Sequence, residues 1–193
     1  EKGSSYEELI AALCSTVSYR ETVKLTLPEG WNSFQMAKAA EAAGLCTEAE
    51  YLEAANALDY DFDWMKDIST DPNKLTVLEG FLYPETYSFF PDATARDIVT
   101  TQLREFQKKV LTEENRAALA DSGFTLEQWV IFASIVQKES AGVEEMYNVS
   151  SVFHNRMKNT SEYPMLQSCT TNNFIWDYVE PYYHDQVPQS VLD

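Results

Sequence analysis

The chain has 193 residues, 45% of them hydrophobic and 13% aromatic, which is enough to bury a core in one sizeable domain or two small ones. Its formal charge of −17 and pI of about 4.4 exclude docking on phosphate backbones and argue equally against anionic lipid. Three scattered cysteines, Cys14, Cys46 and Cys169, give neither a disulfide framework nor a zinc site. With His154 and His184 the only histidines, a His-based metal site or a Ser-His triad is disfavoured as well. No apolar run approaches the roughly 20 residues of a membrane span, and the chain lacks an initiator Met and a signal-peptide pattern. It reads as a trimmed soluble piece of something longer.

In chain order, Ser5 and Glu8 stand at capping-box spacing ahead of an amphipathic helix over 5–17. "TVKLTL" (22–27) alternates as a short strand and closes in the turn "PEG". "WNSFQMAKAAEAAGL" gives a helix capped by Asn32 or Ser33 and ended by Gly44. Thr47 and Glu50 box the start of another helix. An Asp-rich connection follows, whose Phe and Trp imply packing and whose polarity marks a subdomain boundary near residue 70. "EGFLYPETYSFFP" (79–91) reads as two short extended pieces split by Pro84. A long helix over 95–111 and a shorter one near "EENRAALADSG" come next. Thr125 and Gln128 cap a helix that Gly142 ends. "EEMYNVSSVFHNRMKN" forms the last helix, with Val149, Val152 and Phe153 on its core face. The remainder is irregular or β-like. The fold class expected is α+β, divided into 1–70 and 71–193.

One residue breaks the pattern. Phe132, Ile135 and Val136 form an apolar stripe at i, i+3, i+4, and Glu139 occupies the i+7 place. A plain reading makes it a solvated glutamate in a last helical turn. The alternative is a half-buried carboxyl near the helix C-terminus, where desolvation and the dipole both favour the protonated form. Such an acid suits glycosidic cleavage, because the leaving oxygen must receive a proton. Lys138 opposes this only if it reaches the carboxylate, and adjacent side chains on a helix diverge.

"VKLTLPEGWNSFQMAKAAEAAGL", "LEGFLYPETYSF", "ASIVQKES", "VSSVFHNRM" and "MLQS", in that order, resemble the YceG-like family, endolytic murein transglycosylases of the bacterial cell envelope. The likeness runs from about Val23 to Ser168. It implies a LysM-like α/β part over 1–70, incomplete at its start, and a mainly helical catalytic part over 71–193, incomplete at its end. It makes Glu139 the catalytic residue, and Glu79, Tyr83, Thr86, Tyr87, Asn155, Gln167 and Ser168 substrate contacts. Glu79 and Tyr87 are expected to face the cleft, and Asn155 to orient the sugar N-acetyl group or Glu139. Gln137 departs from the family's acidic residue at that place, and "QSCTT" (167–171) departs from its "QSDPT".

The chemistry so implied is a lyase reaction at the MurNAc–GlcNAc bond that leaves 1,6-anhydroMurNAc ends. It needs no cofactor and no metal. Expected partners are peptidoglycan glycan strands and cell-wall synthases, not nucleic acid, and the membrane only through an anchor absent from this chain. The expected location is the extracytoplasmic face of the cell membrane. Rival readings are a non-catalytic glycan-binding module, a scaffold for wall synthases and a water-using hydrolase.

Overall fold

The computed structural model describes residues 5–7, 10, 21–71, 74 and 76–183. The helix expected over 5–17 falls almost wholly outside them.

β1 (Val23–Thr26) turns Leu25 inward, and it pairs antiparallel with β2 (Thr86–Phe89) in the register Val23↔Phe89, Leu25↔Tyr87 and Thr26↔Thr86. Alternation therefore places Leu25, Tyr87 and Phe89 together on the core side. On the outer face the Thr26 and Thr86 hydroxyls meet at 3.1 Å. A two-stranded ribbon is marginal alone, and here helices cover its inner face.

α1 (Ser33–Ala42) begins in a reciprocal capping box of Asn32 with Gln35, and Gly44 follows its end at φ +73. α2 (Glu48–Ala55) begins in the Thr47–Glu50 box. The Asp-rich connection packs as its aromatics require. It forms a 3₁₀ turn (Asp63–Asp67) that stacks Trp64 on Phe81, with ring centroids 5.7 Å apart, and against Phe106 at 5.3 Å. Trp64 Nε1 also donates to Gln107 Oε1 at 3.0 Å.

Only the second of the two extended pieces expected in 79–91 is a strand. The Leu78 and Val77 N–H groups donate to Ala55 O and Asn56 Oδ1 at the end of α2, and Phe81 N–H donates back to Leu78 O. Those backbone groups are committed to a turn before Pro84, so no ladder partner remains for them.

α3 (Ala95–Lys109) starts at a Thr94–Asp97 capping box and buries Ile98, Val99, Leu103 and Phe106. α4 (Glu113–Ser122) buries no residue and stops at Gly123. α5 (Leu126–Glu139) starts at the Thr125–Gln128 box and ends at an extended Ser140. Gly142, expected to end that helix, instead starts the next, α6 (Val143–Lys158), with φ −175 at its N-cap. α6 packs through Phe153, whereas Val152 is 50% exposed rather than on a core face. The packed side of α6 meets α5 and the loop before it, with the Phe132 ring against Phe153 at 6.4 Å and His154 at 4.7 Å, and Phe124 against His154 at 6.0 Å.

The segment expected to be irregular or β-like is helical over 170–183. α7 (Thr170–Phe174), a π turn (Ile175–Val179) and α8 (Glu180–Tyr183) follow one another. Its aromatic and β-branched content suggests a strand, but the wider π turn brings Phe174, Val179 and Tyr183 to one face around Phe34. The architecture is α+β. One core runs from Leu25, Met36, Tyr51 and Trp64 to Leu78, Phe81, Leu103 and Val130. No helix among the described residues is long and apolar enough to cross a membrane.

Candidate functional site

α5 shows different faces to its two sides. Glu127, Ile131, Ser134 and Lys138, at i, i+4, i+7 and i+11, line a cavity of about 830 Å³. Opposite them stand Trp31, Asn32 and Ser33 at the start of α1, and the 79–84 turn; Thr170, Phe174 and Tyr178 close a third side. A methyl group on Gly80 would lie 2.6 Å from Val130 Cγ1, so the turn abuts α5 directly.

Glu79 is the enclosed acid of this cavity. Its Oε2 accepts from Ser33 N–H at 2.9 Å and from Ser33 Oγ at 2.6 Å, at the first residue of α1. Burial pushes its carboxyl above the ordinary value, against the downward pull of the Ser33 bonds and of Lys138. Lys138 is engaged on the same side, with Nζ donating to Gly30 O at 2.8 Å. The cation next to Glu139 in sequence is therefore turned toward the β1–α1 turn. Lys74 and Glu127 form an ion pair at the far end of the same face.

Glu139 itself is exposed, so the half-buried carboxyl expected on the Phe132 stripe is not found. That stripe packs on α6 through Phe132 and its ring contacts, but α5 ends at Glu139. The chain leaves the helix axis at Ser140 before α6 can cover the last position. Glu139 is nonetheless held: Ser168 Oγ donates to its Oε1 at 2.7 Å. Ser168 Oγ in turn lies 2.7 Å from Thr170 Oγ1, and Thr170 lines the cavity. Glu139 thus stands outside the cavity lining, joined to its wall through the Ser168 and Thr170 hydroxyls.

The loop that carries Ser168 is pinned from α6. Arg156 Nη1 donates to Leu166 O at 2.6 Å and to Gln167 Oε1 at 2.9 Å. Gln167 takes φ +56, a left-handed value rare for a side chain that is not glycine. The other expected contacts divide. Tyr83 lines the cavity together with Glu79. Tyr87, expected to face the cleft, is a core residue 6% exposed whose hydroxyl donates to Tyr83 O at 2.7 Å. Thr86 lies on the outer face of the ribbon, bonded to Thr26, because the strand register that buries Tyr87 turns its neighbour outward. Gln167 is exposed and given to Arg156 rather than to a groove wall. Asn155 is exposed, and no hydrogen bond joins its side chain to Glu139 among the described residues. Trp31, Ser33, Lys138 and Thr170 complete the site without having been expected in it; Ser33 was read only as a possible helix cap, and Lys138 only as a neighbour of Glu139. No group of three or more His, Cys, Asp or Glu side chains among the described residues is placed to hold a metal ion.

The model of the YceG-like family matches residues 1–190. The chain belongs to the YceG-like family. This YceG-like chain is 28% identical over 82 residues to an endolytic murein transglycosylase of Bacillus subtilis, a match covering 42% of the chain and 22% of that protein. It is 26% identical over 174 residues to the endolytic murein transglycosylase of Streptococcus pneumoniae D39, covering 81% of the chain and 31% of the relative. The chain therefore spans less than a third of the length of these curated relatives. A YceG-like protein from Listeria monocytogenes, solved by crystallography, superposes with a TM-score of 0.59 at 26% identity, over 70% of this chain and 47% of that one.

Proposed function

We propose that this chain carries the cleavage site of an endolytic murein transglycosylase, with Glu139 as acid and then base. The observation that carries the reading is a held but solvent-reachable carboxyl, Glu139 on Ser168, linked through Thr170 to the wall of a saccharide-sized cavity. The names of the two relatives and the "ASIVQKES" resemblance support it. A glycan strand laid along that wall covers Glu139 and keeps water from it during the reaction.

Glu139 as the acid protonates the oxygen between N-acetylmuramic acid and N-acetylglucosamine, and the C1–O bond breaks with oxocarbenium character at C1. The carboxylate then takes the proton of the same muramic residue's C6 hydroxyl as O6 bonds to C1. Anhydro sugar and a free glycan end result, and Glu139 is again protonated. One carboxyl serves both halves, unlike the paired acids of ordinary glycosidases. Trp31 and Tyr83 offer flat apolar faces to sugar rings, and Glu79 accepts hydroxyl hydrogen bonds from the wall. In this division the 1–70 part holds glycan and the 71–193 part cleaves it, at the outer face of the membrane to which a segment outside this chain would tether it, beside wall synthases.

The exposure of Glu139 favours one second reading, a module that grips glycan through the Glu79 wall without cutting. Replacing Glu139 by Gln in the full-length protein decides between them. Loss of anhydro-muropeptide release by about a hundredfold or more, the usual weight of a general acid–base group, is expected with murein binding retained. Unchanged release removes Glu139 from the reaction. A wild-type protein that binds murein oligomers yet releases no anhydro product leaves the binding module standing.

A further inference from the structure

A residue that alternates between acid and base must be held in place in both protonation states. A fixed donor, such as a backbone N–H, bonds to the carboxylate or to the carbonyl oxygen of the acid, but it cannot accept the acid's own O–H. The loop after α6 presents something different. Ser168 Oγ lies 2.7 Å from Glu139 Oε1 and 2.7 Å from Thr170 Oγ1, and it also accepts from Thr170 N–H at 3.3 Å. Both hydroxyls can donate or accept, and in the Ser168–Thr170 contact either oxygen can be the donor.

We infer that Ser168 and Thr170 are positioning residues forming a reversible hydroxyl pair that holds Glu139 at one place through both halves of its cycle. This inference rests on the cleavage reaction proposed above and adds to it the device that keeps the acid in register. With Glu139 ionised, Thr170 O–H donates to Ser168 and Ser168 O–H donates to the carboxylate. With Glu139 protonated, its own O–H donates to Ser168 Oγ, and Ser168 O–H turns to Thr170 Oγ1. Both side-chain hydrogen bonds survive, each reverses direction, and no heavy atom moves. The Thr170 N–H bond to Ser168 persists in both states, completing the two acceptor places of the oxygen when Thr170 also donates.

The loop is built to keep this geometry. Arg156 grips Leu166 and Gln167, and the left-handed turn at Gln167 brings Ser168 back toward the end of α5. Three charged groups on the flanking segments are committed elsewhere: Lys138 to Gly30 O, Arg156 to the loop, and Glu145 Oε2 to Ala141 N–H at 3.1 Å. Thr170 stands where the resembling family segment "QSDPT" has proline, which supplies neither a hydroxyl nor an N–H. The pair is thus a feature of this chain's own "QSCTT".

The test uses the full-length protein and four variants: Glu139→Gln, Ser168→Ala, Thr170→Val and Thr170→Ser. Valine matches threonine in shape but cannot bond to Ser168 through its side chain, whereas serine restores the hydroxyl. Loss of one such hydrogen bond at the reacting group is worth roughly tenfold in rate. Thr170→Val is expected to lower kcat for anhydro-muropeptide release by about that factor with KM unchanged, Ser168→Ala to lower it further, and Thr170→Ser to return it to the parent value. Crystal structures at acid and neutral pH give a readout independent of turnover. The Glu139–Ser168 contact should persist at both pH values in the parent and be lost at acid pH in Thr170→Val. Parent-like kcat in Thr170→Val while Glu139→Gln is inactive overturns the pair and leaves the cleavage reading intact. Full activity in Glu139→Gln overturns both.

Discussion

Gly80 shows how a single backbone choice builds the cavity. Its φ is +84, and the place of a β-carbon is filled by Val130 Cγ1 at 2.6 Å. Gly123 has a similar φ of +73 but open space around it. Gly123→Ala pays only for the left-handed conformation, about 1 kcal/mol, whereas Gly80→Ala must also push the turn away from α5. We expect Gly80→Ala to cost roughly 1–3 kcal/mol more in chemical denaturation, adding an overpacking penalty to the same backbone strain. Equal losses at the two positions would mean that the Gly80 contact relaxes freely. Glu139 teaches the complementary lesson. Its place on the Phe132 stripe was legible from the i, i+7 spacing, but its contact with Ser168, read from the sequence only as a substrate contact, was not. Its exposure was not legible, because it depends on where the backbone goes after Ser140, and helical periodicity carries no information past a helix end.

At the level of elements, the start of α1 joins local and long-range chemistry. Asn32 caps the helix through its own box with Gln35, and Glu79, 46 residues later, adds a second anchor on Ser33 N–H and Oγ. A negative group at a helix N-terminus is favourable, yet burial raises the Glu79 carboxyl above its ordinary value of 4.5. The sign follows from proton counting. Between 4.5 and the raised folded value the native state holds more protons than the unfolded chain, so stability falls as pH rises through that window. Glu79→Gln removes this titration while leaving an oxygen to accept from Ser33. Denaturation midpoints followed upward from about pH 4 should therefore fall less steeply in Glu79→Gln than in the parent; parallel curves would place Glu79 in an unstrained, solvated setting. The helix starts were readable because Asn32, Thr47, Thr94 and Thr125 cap within three residues of themselves. The pairing of β1 with β2 was not, because its register joins residues about 60 positions apart. The 170–183 segment misled for a related reason: its Ile, Trp, Tyr and Val favour strands, while its packing of Phe174, Val179 and Tyr183 on Phe34 joins residues about 140 positions apart.

For the molecule as a whole, a net charge of −17 constrains what the cavity can bring in. Its walls carry Glu29, Glu79 and Asp177 against Lys138, with Lys74 and Glu127 neutralising each other. Under the function proposed above the ligands are murein fragments, which carry carboxylates on their peptide stems or, where the stem is absent, on muramic acid, whereas oligomers of N-acetylglucosamine are neutral. Repulsion from an acidic protein acts over about 30 Å at 0.01 M salt but only about 8 Å at 0.15 M. Oligosaccharides with free carboxylates should therefore bind more tightly as salt is raised across that range, by about threefold or more, mostly through faster association. Neutral chito-oligomers of the same length should show no such change. Isothermal titration of both series at the two ionic strengths separates the effects. Weakening of the charged series with salt would reveal a cationic subsite outweighing the acidic surface. Lys138 lines the cavity and keeps donors beyond its bond to Gly30 O, so it would be the first residue to replace in that case.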